Sequence, residues 1–171
     1  GSRIHSVVSS GCIESASIGC TLNKLKPTKE QGELSCPFDL AFFNDIDKNN
    51  ELIKTKFEKF FDNIEYNEEK QCFINKELNI IFNHDKNTSP ETFTENYKNR
   101  INNFYNYLSD DKSYKYFLLS SFGYVTNKQI DELFEILKTY IPSNNFSIIL
   151  INQSNVKRKK YTNSQNEKNF Y

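Results

Sequence analysis

Chemistry in this chain has to come from a short set of side chains. Only two histidines are present, His5 and His84, and His84 is the one deep in the chain, after an apolar run and directly before Asp85. An imidazole there is the natural general base, because its unperturbed pKa lies nearest to neutral pH. Two carboxylates are placed to orient such a ring, Asp39 in Pro37-Phe38-Asp39 and Asp85 beside the histidine itself, as a third group does in any triad. Distance along the chain does not choose between them. A base of this kind serves a nucleophile, and the sequence offers four thiols, Cys12, Cys20, Cys36 and Cys72. Cys12 follows Ser10-Gly11 on a strand-to-helix turn and has a nucleophile's setting, whereas the other three read as small buried hydrophobes. The four lack the close paired spacing of a zinc site and do not make a disulfide scaffold. No metal, no cofactor and reduced thiols in a cytoplasmic setting are therefore expected.

Charge narrows the partners. The 22 Lys and Arg are balanced by 22 Asp and Glu, so no net field gathers nucleic acid or anionic lipid. No apolar run approaches the ~18 residues of a membrane span, and no signal-peptide core precedes a cleavage site. Neither nucleic acid nor membrane is expected as a partner. The chain opens Gly1-Ser2 and has no Met, which reads as a cloning scar ahead of a fragment. Its 171 residues suit one domain, and 15 Phe with 10 Tyr predict a core rich in aromatic rings.

The elements that must position these groups follow from periodicity. Arg3 to Ser9 reads as a strand ending at Ser10-Gly11, and a helix starts near Ser15, with Ile18, Leu22 and Leu25 on its buried face. Lys26 to Cys36 is a loop, followed by the apolar stretch Pro37 to Phe43. Between Leu52 and Phe61, the residues Ile53, Phe57, Phe60 and Phe61 share a helical face. Gln71–Asn75 and Leu78–Asn83 flank Lys76-Glu77 as a hairpin. Ser89-Pro90 opens a long amphipathic helix through Phe93, Tyr97, Ile101, Phe104 and Leu108. Tyr114 to Ser121 is a buried strand, Thr126 with Gln129 makes a capping box ahead of a helix to Ile141, and Phe146 to Ile151 is the last strand. Residues 153–171 are polar and basic, so the prediction is a domain over 1–152 and a disordered tail or linker beyond it.

The run Glu14-Ser15-Ala16-Ser17-Ile18-Gly19, with Leu22 and Leu25, then Ser35-Cys36-Pro37-Phe38-Asp39, resembles the papain-like cysteine peptidases of bacteria and large DNA viruses. Their pattern is Gly-Glu-Asn-Cys-Ser-(aliphatic)-Gly-x-x-Leu-x-x-Leu, a loop, then Pro-Phe-Asp-Trp. The resemblance continues at Phe82-Asn83-His84-Asp85 and at Tyr97-Lys98-Asn99-Arg100-Ile101-Asn102-Asn103-Phe104, and spans residues 7 to 151. The chain departs from the pattern at Leu40, where the family has Trp, and at Ile13, where Gly is usual. The resemblance puts the family's cysteine on Ala16, with His84 as base, Asp39 or Asp85 as its partner, and Ser15, Ser17 and Phe38 lining the substrate site. It implies an α+β, papain-like fold with a mainly antiparallel central sheet of about five strands flanked by helices.

A thiol at position 16 would sit in the first turn of a helix, where free N–H groups and the helix dipole lower its pKa. The implied activity is hydrolysis of a protein or peptide substrate through an acyl-enzyme, by a peptidase or a deubiquitinase-like isopeptidase. Ala is no nucleophile. The chain is then an engineered Cys-to-Ala form, which the retained His84 and Pro-Phe-Asp favour, or a protein-binding pseudoenzyme. Each residue also has a structural reading. His5 and His84 can be structural, Asp39 can cap the helix after it, and Arg100 can pair with an acidic neighbour.

Overall fold

Helices form where local capping chemistry starts them. A computed structural model describes residues 3–10, 32, 34–39, 41–43, 45–121, 124–152 and 159–162. Within them α1 (Ile46–Lys54) begins at Asp45, whose side chain accepts from the Lys48 amide at 3.1 Å. Helix α2 (Pro90–Ser109) begins at Ser89, whose hydroxyl accepts from the Thr92 amide, with Pro in the first turn. Helix α3 (Asn127–Tyr140) carries the expected capping box. Thr126 accepts from the Gln129 amide at 3.2 Å and Gln129 Oε1 from the Thr126 amide at 3.0 Å. The end of α2 is met by a buried cation, since Lys115 is fully buried and its Nζ donates to the carbonyls of Asp110 and Ser113.

The strands in chain order are β1 (Arg3–Ser10), β2 (Phe42–Phe43), β3 (Ile64–Asn67), β4 (Cys72–Asn75), β5 (Ile80–Phe82), β6 (Lys115–Ser121), β7 (Phe146–Asn152) and β8 (Lys159–Thr162). They form two four-stranded sheets among the described residues, ordered β1-β6-β7-β8 and β2-β5-β4-β3. The fold is α+β, with three described helices and one fully antiparallel sheet. The expectation of a single, mainly antiparallel central sheet is corrected. β1, β6 and β7 run parallel, and only β8 turns against them. Parallel neighbours need a crossover connection, and α3 supplies one between β6 and β7, while α1, the whole second sheet and α2 lie between β1 and β6.

Two boundaries also differ. Helix α1 ends at Lys54 instead of running from Leu52 to Phe61, because Lys56 (φ 53°) and Phe57 (φ 61°) take left-handed backbone and the Phe57 amide turns back to the Leu52 carbonyl at 2.7 Å. That backbone costs on the order of 1–2 kcal/mol per residue. Burying the Phe57 and Phe60 rings, which are 3% and 0% exposed, offsets it, so burial chose the path and helical periodicity did not. β7 is not the last strand either. Lys159–Thr162, in the polar segment expected to be a tail, pairs antiparallel with it. The helix expected from Ser15 lies outside the described residues.

The core is aromatic. Phe60 meets Phe43, Phe57, Phe61, Phe82 and Tyr97 at ring separations of 5.2 to 6.4 Å. Truncating a ring with so many neighbours leaves a cavity that rigid partners cannot fill. Phe60→Ala is expected to cost about 3–5 kcal/mol, measured by urea unfolding, and a loss below about 1 kcal/mol would show that this core collapses freely.

Candidate functional site

The parallel strands end together. Ser10 of β1 lies opposite Ser121 of β6, and Ser121 opposite Asn152 of β7. Loops leaving the carboxyl edge of a parallel sheet are where such folds gather their sites. The segment with Ser15, Ala16 and Ser17 follows β1 in sequence. Those three residues, and Cys12, Cys20 and Leu40, lie outside the described residues.

Asp39 is reached from the neighbouring strand. The 3-10 turn Pro37–Asp39 and β2 both lie against β1. Asp39 is buried, and its Oδ2 accepts from the Cys36 amide at 2.8 Å, closing its own turn. It therefore does not cap the helix after it, a role that falls to Asp45.

His84 follows β5, the strand that pairs with β2. β2 pairs with β5 in the register Phe42↔Ile81 and Phe43↔Ile80. At the end of the ladder where Phe42 meets Ile81, one chain arrives from the 3-10 turn that holds Asp39 and the other leaves into the turn that holds His84. His84 is exposed, in a turn just past β5.

Its neighbour Asp85 points elsewhere. Asp85 is buried, accepts from Tyr97 Oη at 3.2 Å, and meets Nη1 and Nη2 of Arg100 at 3.3 Å. The guanidinium also lies over the Tyr97 ring, 4.4 Å from its centroid. Arg100 thus has the acidic partner expected of it, and Asp85 is tied to α2. Burial, aided by the Asp85 charge and partly opposed by Arg100, pushes the Tyr97 hydroxyl well above its usual range.

Phe38, expected to line a substrate site, is fully buried against Phe43, Phe57 and Phe104 at 4.7 to 5.6 Å. It is core, because a ring enclosed by three others has no face left for a ligand. Sequence reasoning missed a second grip of α2. Asn103 Nδ2 donates to the Ser35 carbonyl at 3.0 Å, and Tyr107 Oη accepts from the Leu34 amide at 2.8 Å. The available signal was polar groups on the stripe that α2 buries. Tyr124, on the loop after β6, is 83% exposed and was also passed over. Cys36 and Cys72 are buried and form no disulfide. Among the described residues no cluster of His, Cys, Asp and Glu is arranged to hold a metal, and no helix is long and apolar enough to cross a membrane. No family model, curated protein or solved structure matches the chain.

Two outcomes follow from the Asp85 anchor. Arg100→Ala leaves a buried carboxylate without its cation, expected to cost about 3–5 kcal/mol and to lower Tm by on the order of 10 °C. A cost under about 1 kcal/mol would mean that Asp85 is well solvated. For Tyr97, the raised folded-state value means its contribution is fully present below the unfolded tyrosine pKa of about 10 and is lost as pH rises above it. Tyr97→Phe should therefore lose about 1–2 kcal/mol at neutral pH yet decline less steeply than the parent from about pH 10 upward. Urea midpoints across that range measure both, and parallel declines would refute the assignment.

Proposed function

We propose that this chain is a cysteine-dependent hydrolase with a papain-like site, acting on amide bonds of protein or peptide substrates and present here without its nucleophile. With Cys at position 16, His84 takes the thiol proton, the sulfur attacks the carbonyl carbon, and the imidazolium returns the proton to the leaving amine. Water then releases the acyl group. Asp39 is the acid assigned to orient His84, because the contacts of Asp85 run to α2. The cytoplasm, which keeps thiols reduced, is the assigned compartment.

The observation that carries this reading is the β2–β5 register, which leads the chains of Asp39 and His84 off the same end of one ladder. That ladder lies against β1, the strand that feeds position 16. The papain-like element is this constellation and not the strand order, which includes three parallel strands. A second reading, a binding pseudoenzyme using the same residues, is favoured by Ala16 itself.

The test is Ala16→Cys, with iodoacetamide labelling followed by mass spectrometry from about pH 5 to about pH 9. The introduced thiol is expected to label fastest in the chain, to keep reacting below the usual thiol pKa of about 8.5, and to slow when His84→Ala is added. Buried Cys36 and Cys72 should lag. If position 16 reacts no faster than Cys12, or ignores His84, the hydrolase reading fails.

A further inference from the structure

Asp39 can align a base only if its carboxylate is held still, and a chain of contacts shows how. Oδ2 is bonded to the Cys36 amide, so the carboxylate is fixed relative to the short segment 34–36. That segment makes no regular secondary structure; the backbone groups of Cys36 bond to Asp39, and those of Leu34 and Ser35 reach α2. The Leu34 amide donates to Tyr107 Oη at 2.8 Å, the Leu34 carbonyl lies 3.4 Å from the same hydroxyl, and the Ser35 carbonyl accepts from Asn103. One helical turn toward the start of the same helix, Tyr97 and Arg100 grip Asp85, next to His84.

We propose that Asn103 and Tyr107 are positioning residues for Asp39, and that α2 thereby sets the spacing between Asp39 and His84. The inference rests on the reading of position 16, His84 and Asp39 as one site. Tyr107 is nearly buried and meets the Leu34 amide through a single hydroxyl, so removing that oxygen frees the segment while leaving the ring in the core. A helix is a stiff spacer, with a rise of about 1.5 Å per residue, so the two grips hold the two chains at a fixed separation. Loops gripped in this way lose the sub-ångström precision of a site when the grip is cut.

The experiment measures the labelling rate of the thiol introduced by Ala16→Cys against pH, alone and with Tyr107→Phe, Asn103→Ala or Asp39→Asn. Asn at 39 keeps an acceptor for the Cys36 amide and removes the charge. Each α2 variant is expected to slow labelling near pH 6 by about tenfold, to move the labelling midpoint toward that of a free thiol, and to add nothing once Asp39→Asn is present. Asn103→Ala, at a half-buried position, gives the answer if Tyr107→Phe folds poorly. Effects that multiply with Asp39→Asn, or that slow labelling equally at every pH, overturn the positioning role, as does an unchanged profile. If the Ala16→Cys thiol is unreactive and indifferent to His84→Ala, the site reading itself has failed and the inference goes with it.

Discussion

Asp85 carries a charge that the fold takes out of water. A buried carboxylate is tolerable only with a cation and further donors, and here both come from one helix, Arg100 and Tyr97 of α2. The turn after β5 consequently has one place to sit on α2. Ring packing agrees with that placement. Phe93 meets Phe73 at 4.3 Å and Phe82 at 4.9 Å, and Phe104 meets Phe38 at 5.5 Å, so the hairpin and the 3-10 turn are seated on the same helix face. Aromatic contacts supply most of the attraction, but they are forgiving about register. The ion pair is not, since a slip by one residue would leave Asp85 or Arg100 buried alone.

That division of labour suits the exposed His84. On the proposed hydrolase reading His84 is a base, which has to be reachable by substrate and yet hold its orientation, something loops do poorly by themselves. Here the residue beside it is locked and the residue itself faces solvent. On the proposed hydrolase reading, α2 is the rigid support, and Asp39 and His84 are carried on short turns tied to it through neighbouring residues.

Legibility in the sequence followed the range of the interaction. Ser89-Pro90 and Thr126/Gln129 act within four residues, so the starts of α2 and α3 could be read directly. The hairpin around Lys76-Glu77 was equally local. Ile53, Phe57, Phe60 and Phe61 mislead because a 3.6-residue period records burial on one side, and a left-handed turn buries the same rings without a helix. Parallel and antiparallel strands were indistinguishable because a short apolar run carries no direction. Strand β3, with Glu65 and Tyr66 exposed, shows little apolar pattern at all. Asp85 beside His84 looked like its partner from adjacency, whereas Asp85 is bonded to Tyr97 and Arg100 of α2. Arg100 told more, since a guanidinium on a buried stripe demands an acid.

The parallel pairing of β1 with β6 carries a consequence for how the chain assembles. Arg3 must find Lys115, with the entire antiparallel sheet and two of the described helices between them in sequence. Closing so large a loop is unfavourable until the intervening residues have already been drawn together. The antiparallel sheet, α1 and α2 join nearer segments and therefore form a natural early unit, while the long-range β1–β6 ladder adds contact order and slows completion. During synthesis the order is enforced further, because β1 emerges first and waits unpaired for β6. The edge that leads to position 16 is thus completed only after the antiparallel sheet, α1 and α2 have been made.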